Sequence, residues 1–366
     1  MHQNESQAPA AKELHDLPDF VQLLIQAGNR GPSPDNSQPL CFSWSDPGRL
    51  TIFFDPKRCT DADYFGPGSH ASLLTLGAAA ENIQQVATAA GFEPSWSWSE
   101  REGVKQIEIK LAATDPSFSQ ELWNHPVFSR HTNRLPFAST PVEAELLQSI
   151  VDLKSDCIQV LTSQEESTRQ QWIQLVNSAS ELRFQTRDTH EWLARSLRFS
   201  QTDVEKGDGL DVATLALPPG GKYFLKLISD WSRMARLNKV GIYRLMAWIE
   251  AQALKQSPMI LAIAGPNNTQ EEACEAGRMM EKVWLQLNAN GIAVQPYYVI
   301  TDQLVRLEQD KTPPALDSAA RRLADQAGSS FDQLFPHILL RIGYPKADPT
   351  RSKRYPLDKV YSPLSR

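Results

Sequence analysis

The chain has 366 residues, 41% apolar and 22% charged, an ordinary globular composition with enough length for one large domain or two smaller ones. Its net charge of −6 argues against nucleic acid or an anionic membrane as the main partner, because either would favour a basic surface. The four cysteines are widely spaced without a CxxC pair, which indicates reduced thiols rather than disulfides or a zinc site. With a polar N-terminus and no apolar run of membrane-spanning length, we expect a cytoplasmic protein.

The first third of the chain alternates short apolar segments with turns. Residues 1–14 are polar and predict a flexible tail. Helical spacing of apolar residues predicts a helix over 17–27, and an almost wholly apolar stretch over 69–90 predicts a central helix. Strands are predicted at 41–44, 50–54, 96–98 and 104–112, the first two joined by a DPG turn.

The remainder of the chain is richer in helical patterns. After a loop-rich segment over 115–137, helices are predicted at 142–153, 165–197, 223–254 and 271–290, and a polar helical stretch at 302–335. Strands are predicted at 158–161, 259–264, 294–301 and 338–342, and irregular structure at 199–222. A basic, proline-bearing tail follows residue 342.

The two central helices occur at corresponding places in an internal repeat. Gly77 and Gly277 begin similar stretches, and the same offset of 277 − 77 = 200 relates Gly91 to Gly291. A predicted strand precedes and follows each copy. The repeat predicts two copies of one supersecondary unit related by a pseudo-two-fold axis.

The loop GPSPDNSQPL, over 31–40, carries the clearest functional pattern. Its prolines exclude a helix and hold polar groups in fixed positions. From the residues alone, an ordinary turn and a loop that binds the edge of a flat heterocycle are equally good interpretations.

A resemblance favours the second interpretation. The loop resembles the A-P-S-x-x-N-x-Q-P-W loop of the nitroreductase superfamily, with Leu40 in place of tryptophan. The stretch RHTNR resembles the family's R-x-[ST]-x-R pattern, and the tail from Arg341 resembles R-x-G-Y-P…R-R-P-L-E-E-V. The division of these pieces between the two halves is most similar to the Acg-type, single-chain double nitroreductases. The matching residues are Pro32, Ser33, Asn36, Gln38, Arg130, Thr132, Arg134, Arg341 and Arg354.

The resemblance implies an α+β, nitroreductase-like fold of two fused copies, an intrachain pseudo-dimer with central helices and mixed or antiparallel sheets. It implies a tail over 1–14, a first half over 15–120, a second half with helical insertions over 121–342, and a C-terminal arm over 343–366. One composite FMN site is expected within the chain, and the mirror-image site should be empty. We therefore expect a monomer or a weak homodimer.

The resemblance also assigns roles. Arg130 and Arg134 would bracket the FMN phosphate, Thr132 would donate to it, and Arg341 and Arg354 would complete the shell with Lys353. Pro32, Ser33, Asn36 and Gln38 would hold the isoalloxazine ring. The flavin would carry the hydride at N5, so no catalytic side chain is expected. NADH or NADPH is the expected electron donor, and the substrate a small nitroaromatic, quinone, enone or heterocycle.

Three functions remain open from the sequence. The first is an FMN-dependent oxidoreductase. The second is a flavin-binding or flavin-sequestering protein, in which inserted segments occlude the site and prevent NAD(P)H turnover. The third is an interaction module that has lost flavin. The seven histidines show no HxxxH pair, so no metal is expected.

Overall fold

The structure, a computed structural model, describes residues 13–45, 48–113, 118–153 and 155–363. Residues 1–12 of the predicted tail and the first two residues of the DPG turn lie outside the described residues. Fourteen helices are described: α1 (Asp19–Asn29), α2 (His70–Ala89), α3 (Pro126–Ser129), α4 (Ala144–Val151), α5 (Glu166–Phe184), α6 (Arg187–Ser196), α7 (Gln201–Val204), α8 (Gly221–Ile228), α9 (Trp231–Asn238), α10 (Ile242–Lys255), α11 (Gln270–Ala289), α12 (Val299–Glu308), α13 (Asp317–Ser330) and α14 (Leu357–Val360).

The strands of the described residues form two four-stranded sheets and one short pair. They are β1 (Leu40–Ser45), β2 (Arg49–Phe54), β3 (Phe92–Arg101), β4 (Val104–Ala113), β5 (Gln159–Thr162), β6 (Leu197–Arg198), β7 (Leu210–Asp211), β8 (Met259–Gly265), β9 (Ala293–Tyr297) and β10 (Phe335–Gly343). The strand orders are β1-β2-β4-β3 and β5-β8-β10-β9. Neighbouring strands in both four-stranded sheets are antiparallel, and β6 pairs with β7 in parallel. The fold class is therefore α+β, as predicted.

The two sheets follow one connection scheme. In each, the strand before the long helix lies second in the order and the two strands after it lie third and fourth in reversed order. Each long helix begins at a capping hydroxyl, Ser69 for α2 and Thr269 for α11, that accepts a bond from the backbone N–H three residues on. A glycine with positive φ follows each helix, Gly91 at 79° and Gly291 at 72°.

Helices α2 and α11 cross at the centre of the molecule through two glycines. A Cβ on Gly77 would overlap the carbonyl oxygen of Cys274, and a Cβ on Gly277 would overlap that of Leu74. The two contacts are reciprocal, since each glycine meets the residue three places before the other. Only glycine lets two helix backbones approach so closely.

The cores lie on both sides of this crossing. The first sheet packs on α1 and α2 around Phe42, Leu50 and Ile83. The second sheet buries one face against α11 and the other against α5, α12 and α13. The C-terminal tail returns to the first sheet, where the backbone N–H of Ser362 donates to the carbonyl of Phe42.

Several predicted segments differ from the structure. The stretch over 199–222, predicted to be irregular, contains α7, β7 and the start of α8, and the helical stretch over 302–335 is divided between α12 and α13. The predicted strand over 294–301 ends at Tyr297, because Tyr298 takes helical angles (φ −102°, ψ −6°) and α12 begins. The predicted helix over 165–197 is interrupted at Gln185 and Thr186 between α5 and α6. The stretch over 223–254 contains three helices rather than one or two, separated at Asp230 and at Gly241, whose φ is 87°.

Candidate functional site

A cavity of about 660 Å³ is the larger of the two pockets described. It is lined by the GPSPDNSQPL loop, by the segment after α3, by β9 and by the tail over 350–354. Of the nine predicted site residues, seven line it: Pro32, Ser33, Asn36, Arg130, Thr132, Arg134 and Arg354. Gln38 and Arg341 do not.

Several arginines converge on one end of the cavity. Arg130 and Arg354 both donate to the carbonyl oxygen of Arg30, the latter at 3.2 Å, so their guanidinium groups are neighbours. Burial, together with the charges of Arg130 and Arg30, lowers the pKa of Arg354 to about 9. Burial, then Arg130 and Arg351, likewise lowers the pKa of Arg30. Adjacent like charges of this kind are stabilised by a bound anion.

One buried carboxylate, Glu281 of α11, faces these cations. Its Oε1 lies 2.7 Å from Nε of Arg130, an ion pair without hydrogen-bond geometry, since both atoms lack a hydrogen-bond partner among the described residues. The guanidinium of Arg130 also lies 4.4 Å from the ring centroid of Trp284. Burial raises the pKa of Glu281 to about 7, against the opposing charge of Arg130. At neutral pH the carboxyl is therefore only partly ionised, and the cationic end keeps an excess of positive charge.

Thr132 and Arg134 are held beside β9. Thr132 forms an isolated bridge with Val294, and the backbone N–H of Asn133 donates to the Val294 carbonyl at 2.9 Å. Arg134 donates to the Thr214 hydroxyl at 3.4 Å. Burial lowers the pKa of Arg134, and the charge of Asp35 is the largest influence that opposes this shift. Arg134 is thus coupled to the loop rather than to the other arginines.

The loop over 31–40 is strained. Asp35, Asn36 and Gln38 have φ values of 48°, 59° and 50°, in the left-handed region that residues other than glycine seldom adopt. Ser33 compensates in part, because its Oγ accepts from the backbone N–H of Gln38 at 3.0 Å. Such outliers concentrate at functional sites.

Asn36 and Gln38 bind the protein itself. Asn36 Nδ2 donates to the carbonyls of Gly209 and Lys353, both at 3.0 Å, and its Oδ1 accepts from Arg354 at 2.6 Å. Gln38 Nε2 donates to the Gly207 carbonyl at 2.8 Å, and its Oε1 accepts from the backbone N–H of Tyr355. Both amides therefore fasten the 207–209 turn and the tail to the loop.

Arg341 lies away from the cavity, with 2% of its surface exposed. It stacks on Phe137 at 4.0 Å and donates to the carbonyls of Leu135 and, at 3.3 Å, Ala253. These bonds hold the chain next to Arg134. Lys353 also lies outside the lining, although its carbonyl accepts from Asn36.

Much of the remaining lining is apolar and aromatic, and its charged or polar members include Arg183, His190, Glu250 and Asp302. Trp192 of α6 donates to the Asp35 carboxylate at 3.0 Å and meets the ring of Phe65 edge-on at 5.4 Å. The segment over 192–225, hereafter the inserted segment, contributes five leucines to the lining: Leu193, Leu197, Leu210, Leu215 and Leu225.

Buried proton-carrying groups border this part of the cavity. The Tyr64 hydroxyl lies 2.9 Å from both oxygens of Asp302, whose pKa burial raises to about 6. The Tyr298 hydroxyl contacts His70 at 3.1 Å, and His70 contacts His337 at 2.9 Å. Burial lowers the pKa of His337 to about 3, so the pair is neutral at physiological pH.

Sequence reasoning did not identify Arg30 and Arg351 as cavity residues. Arg30 caps α1 immediately before the loop, and Arg351 stands three residues before Arg354, but neither belongs to a recognisable pattern. The one sequence signal that the two arginines share is that each lies next to a segment that does match a pattern.

Metal-binding clusters and membrane-spanning helices are both absent from the described ranges. No group of three or more His, Cys, Asp or Glu residues there has metal-binding geometry. No helix in those ranges combines the length and apolarity needed to cross a bilayer.

Comparison with known proteins gives distant relatives. No protein-family model matches the chain. It is 25% identical over 284 residues to the Uncharacterized protein MT1398 of Mycobacterium tuberculosis (strain CDC 1551 / Oshkosh), a match that covers 75% of this chain and 38% of that protein. The chain thus spans well under half of the length of the curated relative it matches.

Two solved structures are similar at low scores. The FMN-dependent nitroreductase NfnB from Mycobacterium smegmatis, in complex with NADPH, has a TM-score of 0.38 and 14% identity over 66% of this chain and 97% of that chain. A nitroreductase-like family protein from Bacillus cereus has a TM-score of 0.34 and 11% identity over 68% of this chain and 96% of that chain. Scores this low do not establish a common fold, so any functional assignment depends on the cavity and its residues.

Proposed function

We propose that the cavity binds FMN and that the protein is an FMN-dependent oxidoreductase of the nitroreductase type. The observation that carries the proposal is the convergence of Arg30, Arg130, Arg351 and Arg354 on one end of a cavity that also has aromatic and apolar walls. A phosphate ester suits the first region, because arginine forks match phosphate geometry. A flat ring system suits the second.

The dimensions and donor set fit this ligand. The volume of about 660 Å³ lies within the roughly 300–1,000 Å³ usual for cofactor and small-molecule sites. Gln295 Oε1, a buried atom of a lining residue, lacks a hydrogen-bond partner among the described residues. An unpartnered buried polar atom is costly, and a polar ligand would satisfy it.

The roles of the residues follow from their contacts. Arg130, Arg351 and Arg354 would bind the phosphate with Thr132, and Arg30 would add charge beside them. Pro32, Ser33 and Arg134 would lie toward the ring, while Asn36, Gln38 and Arg341 would position other groups rather than touch the ligand. When bound, FMN would supply hydride transfer through N5. The expected donor is NADH or NADPH, and the substrate a small nitroaromatic, quinone, enone or heterocycle.

The shared strand order and the reciprocal glycines of α2 and α11 support an internal duplication. We therefore propose a pseudo-dimer within one chain, with halves over 15–120 and 121–342, a single FMN, and an empty mirror-image site. The Acg-type relationship, a monomeric or weakly dimeric state and a cytoplasmic location remain predictions.

The proposal is tested by FMN titration of the purified chain and of Arg351→Ala, with Arg321→Ala as the matched control. Arg321 is an exposed arginine of α13 that lies outside the cavity lining. Loss of one charge-assisted phosphate contact should weaken FMN binding roughly 10- to 100-fold, and the control should not. A protein that binds no FMN, or equal affinity in Arg351→Ala, would contradict the proposal. Anaerobic bleaching of the flavin by NADH or NADPH then tests turnover.

A second candidate, flavin sequestration without turnover, is favoured by one contact. The bond from Trp192 to Asp35 fastens the inserted segment over the loop that would hold the ring. Trp192→Phe keeps an aromatic ring beside Tyr64 and Phe65 but removes the donor. If the segment blocks the nicotinamide, bleaching should be absent in the wild type and appear in the variant. Bleaching at the same rate in both would exclude occlusion by this contact.

A further inference from the structure

Exposed large apolar side chains are concentrated in one segment of the described residues. Nine such side chains are more than a third exposed, and eight of them lie between residues 217 and 249. Phe118, 40% exposed, is the ninth. Scattered exposed apolar residues are normal, but a concentration of this kind indicates an interaction surface.

Six of these side chains lie on the outer sides of two helices. On α8, Tyr223, Phe224 and Leu227 are exposed at helical spacing, while Ile228 is buried. On α10, Trp248 and its neighbours Leu245 and Ile249 are exposed, while Ala247, Ala251 and Leu254 are buried. A small core around Met234 joins α8, α9 and α10 into one unit.

The same segment is strongly basic. Between residues 221 and 255 the sequence has seven Lys or Arg and two Asp or Glu, a net charge of 7 − 2 = +5. The rest of the chain therefore carries −6 − 5 = −11. All seven cations are exposed, and none forms an ion pair with the described residues. Of the two acids, Glu250 is engaged by Arg183 at 2.7 Å.

We propose that the outer side of α8–α10 docks on an anionic lipid bilayer. Aromatic and aliphatic side chains bordered by Lys and Arg are typical of helices that lie in the membrane interface. Tyrosine and tryptophan favour that depth, and each cation is attracted to anionic headgroups. Lysine is depleted in protein–protein interfaces, yet Lys222, Lys226 and Lys239 lie among the apolar residues here. The net charge of the whole chain, which argues against such a surface, does not describe this segment.

Helix α8 separates the docking surface from the cavity. Leu225 of α8 lines the cavity, while Tyr223 and Phe224 on the same helix face solvent. Docking would therefore bring the leucine lining of the cavity to the bilayer. If the proposed function holds, on which this step rests, the arrangement favours apolar substrates that partition into lipid.

The test is co-sedimentation of the full chain with vesicles of phosphatidylcholine alone or mixed with phosphatidylglycerol. We expect binding to the mixed vesicles that weakens as salt rises. Lys226→Glu with Lys239→Glu, and separately Leu227→Ser with Trp248→Ser, should each reduce partitioning on the order of tenfold or more. Lys110→Glu and Phe118→Ser are the matched controls, since both residues are exposed outside the segment.

Thermal melts verify that the variants fold, and binding is measured with and without added FMN, so that loss of flavin binding is distinguished from loss of docking. No binding to mixed vesicles, or equal binding by all variants, would overturn the proposal. Concentration-dependent self-association that Leu227→Ser with Trp248→Ser abolishes, without vesicle binding, would assign the surface to a second copy of the chain.

Discussion

Arg354 donates a 2.6 Å hydrogen bond to the side-chain oxygen of Asn36, a residue 318 positions earlier in the chain. The contact joins the C-terminal tail to the strained loop and fixes a guanidinium at the cationic end of the cavity. Asn36, whose sequence pattern predicts contact with a ligand, thus positions Arg354 instead.

Asn36→Ala should destabilise the protein and weaken FMN binding together. The change leaves the carbonyls of Gly209 and Lys353 and the Arg354 guanidinium without their partner, at a cost of about 2–3 kcal/mol in the free energy of unfolding. Denaturant unfolding and FMN titration measure the two effects. Ser33→Ala, which removes one bond within the loop, is the milder comparison; equal losses in both variants would refute the special role of Asn36.

Glu281→Gln should remove a pH dependence of FMN affinity. Because burial raises the pKa of Glu281 to about 7, the carboxyl loses its charge as pH falls from 8.5 to 6.5, and the arginines attract phosphate more strongly. The wild type should bind FMN several-fold tighter at pH 6.5, as a net interaction of about 1 kcal/mol would give. The variant should bind tightly at both pH values.

The raised pKa of Glu281 also predicts how the free energy of unfolding changes with pH. Its folded pKa is raised, so its contribution to stability is present below the unfolded pKa and is lost as pH rises through about 7. Relative to the wild type, Glu281→Gln should therefore gain stability between pH 5 and pH 8. An identical pH profile for the two proteins, in unfolding and in titration, would show that Glu281 does not titrate in this range.

Arg341→Met should lower stability without a direct effect on phosphate. Methionine fills a similar volume, but the carbonyls of Leu135 and Ala253 lose their donor, which costs about 1–3 kcal/mol. Under conditions in which the variant is fully folded, its FMN affinity should fall far less than that of Arg351→Ala. A loss of affinity as large as that of Arg351→Ala would restore Arg341 to the phosphate shell.

Gly77→Ala should destabilise the protein by about 3 kcal/mol, the upper range of overpacking costs, because the added methyl overlaps the carbonyl of Cys274 in the opposite helix. Gly277→Ala should behave alike. Gly328→Ala in α13 is the control, since its methyl meets only the end of the Gln333 side chain and alanine favours helix. Thermal or denaturant unfolding measures the stability of each variant. Equal stability of all three variants would mean that the helix crossing relaxes to accept the added methyl group.

The elements that the sequence predicted best are those with strong periodicity. The helices around Gly77 and Gly277 were located within one or two residues, because their apolar patterns end at glycines that terminate helices. The strand predicted over 294–301 was too long, since an apolar run does not reveal that the backbone turns at Tyr298.

The site was predicted in part for a comparable reason. Patterns located the segments that meet at the cavity, but they did not reveal which side chains point into it. Gln38 and Arg341 match their patterns and turn toward neighbouring carbonyls and amides. Arg30 and Arg351 belong to no pattern, because convergence of charges from three distant segments is a property of the folded chain.

The interlocked glycines also determine where the molecule can open. Each carbonyl lies against the α-carbon of a glycine in the opposite helix, a close fit that disfavours movement of α2 against α11. We therefore expect ligands to enter beside the inserted segment, which packs on a small separate core of Leu197, Leu210 and Val212 and is joined to the loop by Trp192. The rate of ligand exchange would then depend on movement of this segment, while the close packing of α2 and α11 keeps the charged end of the site fixed.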